Sequence, residues 1–241
     1  MTGKILFSVF LTAGILFTPQ ARAAPFDDML KSVRIPAGLS RDEGTTVSGL
    51  KEALSVGTDR AVKSVSKTDG YFKDRAIKIL MPEKIQKAAD VLKMAGYSKE
   101  VDDFVLSMNR AAEKAAPEAA SIFVDAIKQM SFEDAGKILK GGNTAATDYF
   151  EALTSGRLFD RFKPIISESM NQVGVTRSYK AMTDKYAAAA PFMKMESLDL
   201  DRYVTDKALE GLFFKLGQEE KAIRTNPAAR TTELLRTVFG K

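Results

Sequence analysis

Three polar side chains with the chemistry of a binding or catalytic site fall on one flank of a predicted helix: Asp102, Asn109 and Glu113. At about 100° per residue they lie within about 40° of one another, beside an apolar face. Asp102 and Asn109 are about 10 Å apart along the helix axis, so one metal ion cannot bind both. Asn109 and Glu113 are close enough to share a ligand. The structural alternative, which the sequence favours, is a surface ion pair between Arg110 and Glu113 and a bond from Asn109 to a neighbouring backbone.

Glu219 is a second candidate, because it lies in the predicted apolar stripe of the penultimate helix, between Leu216 and Ile223. A carboxylate buried there must either be paired or hold its proton, and a carboxyl group that holds its proton can act as a general acid. Arg224 and Arg230 follow shortly after it in the chain. The sequence therefore favours an Arg–Glu pair that locks the C-terminal helix onto the body of the protein.

The break between the last two predicted helices, at Asn226-Pro227, brings Arg224 and Arg230 near a helix start. Two guanidinium groups at such a place could hold a phosphate or a carboxylate. The alternative is that they cap helix ends and pair with carboxylates, and the sequence favours this structural role. The candidate binding residues are thus Asn109, Arg110, Glu113, Arg224, Asn226 and Arg230.

The 241-residue chain contains no His, no Cys and no Trp. This composition excludes imidazole bases, thiol nucleophiles, disulfides and zinc sites built from His or Cys. We predict no metal site and no cofactor. The enzyme that this composition still allows is a carboxylate-dependent hydrolase of an envelope glycan or another secreted polymer, with Glu219 as acid and Glu113 or Asp102 as second carboxylate.

Residues 1–23 have the layout of a secretory signal peptide: Lys4, an apolar run at residues 5–17, and small residues before a cut after Ala23. The run is too short to span a bilayer, which takes about 20 apolar residues. Cleavage removes Lys4 and Arg22 and lowers the formal net charge from +5 to +3, and no basic block typical of nucleic-acid binding follows. Because no Cys stands at the cut, we expect no lipid anchor. We therefore expect a soluble periplasmic protein without a transmembrane segment.

Apolar residues recur at steps of three and four through most of residues 24–241, which predicts an all-α fold of about eight to ten helices in one compact domain. Ser131 with Asp134, and Asp199, are predicted helix starts. Two β-branched stretches, residues 33–36 and 77–82, end in prolines. The residue before a proline favours an extended backbone, so these stretches could pair as a short β-ribbon.

Several segments are more specific than helix patterning requires. They are SMNRAAEKA at residues 107–115, GGNTAATDYF at 141–150, IRTNPAARTTELL at 223–235, GLKEAL at 49–54 and YVTDKALEGLF at 203–213. Together they resemble the exported bacterial family catalogued as domain of unknown function 4197, over essentially the whole mature chain. The resemblance implies a Gram-negative envelope setting and a helical fold, and it brings no established activity and no functional residues.

The residues and the resemblance together favour a non-catalytic binding or interaction module of the periplasm. Its ligand would be a small amphipathic molecule, held among the Phe and Met side chains, or an envelope protein. The carboxylate-dependent hydrolase is the alternative.

Overall fold

The computed structural model describes residues 41–172, 175–189 and 198–239, and this part of the chain contains helices and turns but no β-strand. The predicted all-α fold class is therefore confirmed. The α-helices are α1 (Arg41–Ser66), α2 (Glu83–Met94), α3 (Ser98–Ala115), α4 (Ala119–Gln129), α5 (Phe132–Lys140), α6 (Ala145–Gln172), α7 (Val175–Ala189), α8 (Leu200–Thr225) and α9 (Glu233–Phe239), with 3₁₀ turns at Ala116–Glu118 and Pro227–Ala229. Among the described helices, none combines the length and hydropathy needed to cross a membrane. The predicted signal peptide, residues 1–23, lies outside the described residues.

Two of the helix starts are set by local side-chain chemistry. The Ser131 hydroxyl accepts the backbone N–H of Asp134 at 3.1 Å, and the Asp134 carboxylate accepts that of Ser131 at 3.1 Å. This reciprocal pair is a capping box and begins α5. The Asp199 carboxylate accepts the N–H of Arg202 at 2.9 Å and begins α8. Both predicted starts are present.

Helix α8 lies at the centre of the fold. It packs along α1 and α6 and also contacts α3. Because several neighbours cover it, its buried side chains spread over a wide arc. They are Val204, Thr205, Ala208, Leu209, Leu212, Phe213, Leu216, Glu220 and Ile223.

The connection between α1 and α2, residues 67–82, is irregular, so the strand expected at residues 77–82 is not formed. Residues 33–36, the other half of the expected ribbon, lie outside the described residues. Within the described part of the chain, the backbone of this segment bonds the side-chain amide of Asn109 and no partner strand. Its Oδ1 accepts the N–H of Ile79 at 2.9 Å, and its Nδ2 donates to the C=O of Ile79 at 2.8 Å.

Candidate functional site

Glu113 is the centre of the first polar cluster and is buried where residues 67–82 cross α3. Arg110 lies one turn earlier on the same flank of α3, as residues three apart on a helix do. Glu113 Oε1 accepts the backbone N–H groups of Tyr71 at 3.1 Å and Phe72 at 3.3 Å. Glu113 Oε2 receives Nη1 of Arg110 at 2.6 Å. One carboxylate oxygen therefore holds a turn of the backbone, and the other pairs with Arg110.

Arg110 extends this cluster to the surface. Its Nη2 contacts Oδ1 of Asp69 at 2.6 Å, and Lys73 contacts the other carboxylate oxygen at 2.7 Å. Hydrogen bonds from Lys73 and Arg110 hold the pKa of Asp69 below its usual value. The predicted pair of Arg110 and Glu113 is present, but it belongs to a chain of four charges and its glutamate is buried. We call Asp69, Lys73, Arg110 and Glu113 the Glu113 cluster.

Asn109 and Asp102, the other members of the predicted row, have separate environments. Asn109 is fully buried, and it donates to the C=O of Val105 at 2.8 Å in addition to its two bonds with Ile79. It thus bonds neighbouring backbone, as the structural alternative predicted. Asp102 is exposed and lies 3.9 Å from Lys93 of α2. The structure does not bring Asp102 together with the other two, because residues 67–82 bond side chains on the later turns of α3.

Residues 67–82 are also tied to α8. The buried Tyr71 hydroxyl donates to the C=O of Ala208 at 2.6 Å, and burial raises the pKa of this phenol. Lys215 contacts Asp74 at 2.5 Å. Gly211 allows this close approach, since a Cβ at that position would lie 2.6 Å from the ring of Tyr71. The irregular segment is thus fixed from two helices.

Glu219 is not the buried carboxylate that the helical pattern predicted. Its side chain is 31% exposed, and its cation is Arg60 of α1 at 3.8 Å rather than Arg224 or Arg230. The buried carboxylate is the next residue, Glu220. The predicted stripe assumed one covering surface, whereas α8 is covered by α1 and α6 on different sides.

Glu220 is the centre of the second polar cluster. Its Oε1 accepts the N–H of Ala146 at 2.9 Å, and its Oε2 accepts the N–H of Thr147 at 2.8 Å and the Thr147 hydroxyl at 2.9 Å. These are first-turn N–H groups of α6, which no partner within the helix can bond. Arg224 donates to Glu220 Oε1 through Nε at 2.9 Å and Nη2 at 2.8 Å, and Nη2 also donates to the C=O of Ile138 at 2.9 Å. We call Glu220, Arg224 and their backbone partners the Glu220 cluster.

Arg230 and Asn226 both bond backbone at the break after α8. Arg230 donates through Nε to the C=O of Ile223 at 3.0 Å and through Nη2 to that of Arg224 at 2.8 Å, so it caps the last turn of α8. Asn226 accepts the N–H of Ala228 at 3.0 Å and begins the following 3₁₀ turn. These contacts match the structural role that the sequence favoured for the hinge.

Two open grooves meet at Phe214 on α8. One lies between residues 76–83 and α8 and has a volume of about 430 Å³. The other lies between residues 144–151 and α8 and has a volume of about 600 Å³. Phe214 and Glu210 line both, and Phe214 is 46% exposed. We call the two grooves and the aromatic ring between them the Phe214 surface.

A small cavity lies beneath α9. It has a volume of about 20 Å³, and Leu50, Leu54, Leu216, Ile223 and Phe239 provide most of its apolar wall. A volume of this size is close to that of one water molecule. No cluster of three or more acidic side chains suited to a metal ion occurs in the described residues.

Sequence reasoning missed Glu220, Asp69 and Phe214. Arg224, four residues after Glu220, was a usable signal, because such i,i+4 pairs are common on helices. Asp69 stands before Gly70 in a turn-forming context. Phe214 had no signal of its own, since its exposure depends on which elements leave that side of α8 uncovered.

Comparison with known proteins agrees with the resemblance seen in the sequence. A search of curated proteins and a search of solved structures found no match. The model of one family, described as protein of unknown function (DUF4197), matches residues 40–240. Because this match covers most of the chain, including both polar clusters and the Phe214 surface, the protein belongs to the DUF4197 family.

Proposed function

We propose that this chain is a non-catalytic binding protein of the periplasm and that it binds an envelope protein through the Phe214 surface. The observation that carries the proposal is the meeting of two open grooves at a half-exposed aromatic ring. Aromatic side chains surrounded by polar groups are typical of protein–protein interfaces. The rim here is polar, with Glu210, Gln218 and Lys221 among the lining residues.

The interior offers little support for the other predicted ligand, a small amphipathic molecule. Pockets for such molecules usually have volumes of about 300 Å³ or more. The cavity beneath α9 has about 20 Å³. The open grooves are therefore the better candidates, and their shape suits a protein surface.

The alternative hydrolase loses support from the same contacts. Glu113 and Glu220 use both of their oxygens to bind backbone N–H groups and arginine. A general acid or a nucleophile needs a carboxyl oxygen that faces the substrate. Glu219 pairs with Arg60, and Asp102 is exposed on α3 away from Glu113. The three predicted carboxylates, and Glu220 with them, thus do not form a catalytic pair across a groove.

The interface is tested by replacing Phe214 with the photo-crosslinking residue p-benzoyl-phenylalanine in the producing bacterium. We expect a light-dependent adduct with one envelope protein. The matched control is the same replacement at Phe132, a phenylalanine of similar exposure (39%) on α5. With the captured protein purified, Phe214→Ala should weaken binding at least tenfold and Phe132→Ala should not. Equal adducts from both positions, or binding that ignores Phe214→Ala, would contradict the proposal.

Export is tested separately. The protein recovered from the periplasmic fraction should begin at Ala24, and Ala23→Arg should keep residues 1–23 attached, because the cleavage site requires a small residue there. A full-length chain that starts at Met1 in the cytoplasm would overturn the proposed location. Native mass spectrometry of the periplasmic protein tests the small-ligand alternative through any retained mass.

A further inference from the structure

The backbone of residues 78–80 has one edge satisfied and one edge open. Asn109 bonds both the N–H and the C=O of Ile79. A residue whose N–H and C=O point to the same side has the arrangement of an extended strand. In such a strand, the N–H and C=O groups of the two flanking residues point to the opposite side.

That opposite side faces the groove next to α8. The Tyr203 hydroxyl donates to the C=O of Leu80 at 3.0 Å, and Tyr203 lines the groove. Lys78 N–H is also used, because it donates to the C=O of Asp74 at 2.8 Å. Within the described residues, the N–H of Leu80 and the C=O of Lys78 make no hydrogen bond to the protein. In a parallel sheet, one residue of a strand donates its N–H to a C=O of the neighbouring strand and accepts the N–H of the residue two positions later in that strand.

The side chains around this edge favour a partner segment that is apolar and carries no acidic group. Lys78 lies 4.1 Å above the ring of Phe72, and Lys207 contacts Glu210 at 2.6 Å. Both cations of the groove are therefore already engaged. The exposed apolar side chains there are Leu80 and Phe214. Two exposed acidic side chains also line the groove, Glu83 and Glu210, and Glu210 is the partner of Lys207.

We propose that an extended, apolar peptide segment of the partner binds in this groove and pairs in parallel with residues 78–80. One of its residues donates to the C=O of Lys78 and accepts from the N–H of Leu80, and an apolar side chain beside it contacts Phe214. This inference rests on the proposed function and adds the bound conformation and its register. Adding a strand in this way supplies affinity through main-chain bonds.

The test compares two variants at one position. Leu80→Pro removes the N–H donor and suits an extended backbone, whereas Leu80→Ala keeps the donor and removes the side chain. The probe is a synthetic peptide that copies the partner segment crosslinked to position 214. We expect the Leu80→Pro variant to bind it about tenfold more weakly than the Leu80→Ala variant, as loss of a hydrogen bond worth about 1.4 kcal/mol would require. Far-UV circular dichroism and thermal melting verify that both variants fold.

Two further measurements use the wild-type protein, so they do not depend on whether the variants fold. In the wild-type protein, the amide hydrogen of Leu80 should exchange rapidly with solvent when free and slowly when the peptide is bound. N-methylation of the peptide residue that pairs with Lys78 should weaken binding about as much as Leu80→Pro does. Equal binding by the two variants, or a helical bound peptide, overturns the parallel pairing while leaving the Phe214 interface intact. The absence of any adduct at position 214 overturns the interface itself, and the pairing with it.

Discussion

Glu113 and Glu220 bind very similar groups in two different settings. Each accepts two consecutive backbone N–H groups from a distant part of the chain, and each pairs with an arginine one turn away on its own helix. Arg110, the partner of Glu113, is 29% exposed and continues to Asp69 at the surface. Arg224, the partner of Glu220, is 11% exposed and continues to a helix carbonyl.

The two glutamate–arginine pairs differ in the exposure of the arginine and also in what each pair holds in place. The Glu113 cluster holds an irregular segment that forms one wall of the Phe214 surface. The Glu220 cluster joins the start of α6, the end of α5 and the last turn of α8. Removing either carboxylate should lower the free energy of unfolding, and the loss should be larger where the arginine partner is more buried. The reason is that a buried unpaired charge is far more costly than a hydrated one.

The largest effect is expected from Glu220→Ala. The change leaves Arg224 buried without its carboxylate and the N–H groups of Ala146 and Thr147 without an acceptor. We expect the free energy of unfolding to fall by about 3 to 5 kcal/mol in urea denaturation. The matched control is Glu219→Ala, which removes a half-exposed pair and should cost less than about 1 kcal/mol. If the control costs as much, the two neighbouring carboxylates do not differ as described.

Glu113→Ala should cost less than Glu220→Ala, by our expectation about 1 to 3 kcal/mol of unfolding free energy. Arg110 keeps Asp69 and contact with water, so the penalty comes mainly from the N–H groups of Tyr71 and Phe72. Amide exchange should accelerate in residues 67–82 and stay unchanged at the start of α6. Acceleration spread over the whole protein would show that the two clusters are not independent, and Asp102→Ala is the neutral control.

Gly211→Ala acts on the same segment from the side of α8. A methyl group there meets the buried ring of Tyr71, so we expect a loss of about 1 to 2 kcal/mol and faster amide exchange near Ile77. Gly217→Ala is the control on the same helix, because its added Cβ would lie at ordinary contact distances of 3.7 Å from Thr144 and Thr147. That control should be neutral or stabilising by up to about 1 kcal/mol. A stabilising Gly211→Ala would refute the close approach.

The smallest effect on stability is expected when the pH is lowered. Burial alone would raise the pKa of Asp74, but hydrogen bonds from Lys215 and the Ala76 N–H hold it below its usual value, and the pKa of Asp69 is lowered as well. A carboxyl group with a lowered pKa in the fold stabilises it above the unfolded pKa of about 4 and loses this contribution as pH falls through the folded value. Residues 67–75 should therefore open below about pH 4, before the rest unfolds. Amide exchange corrected for intrinsic rates measures this, and Asp74→Asn should reduce the pH dependence.

Local chemistry made parts of this structure predictable. The starts of α5 and α8 follow from Ser131, Asp134 and Asp199, because a cap needs only residues a few positions away. The i,i+3 pair of Arg110 and Glu113 followed from helix spacing in the same way. Its burial did not, because residues 67–82 cover it from more than 30 positions away in the chain.

The wrong prediction for Glu219 came from the neighbours of α8. A single apolar stripe predicted Glu219 inside, but two helices cover α8 from different directions and select Glu220. The exposure of Phe214 and the open edge of residues 78–80 depend on which sides remain uncovered. Such features are set by the arrangement of helices, which the spacing of apolar residues along one helix does not encode.

The cap of α6 has a consequence for the order in which the protein can form. The acceptor for its first N–H groups stands 74 residues later in the chain, on the last long helix. Contacts between such distant positions form late in folding, because the loop between them must close first. A ribosome that has made residues up to 219 has therefore produced a long helix whose first turn still lacks its acceptor. The final twenty or so residues thus complete a structure that begins far earlier in the chain, and a truncated product would lack the cap and the tail that covers the cavity.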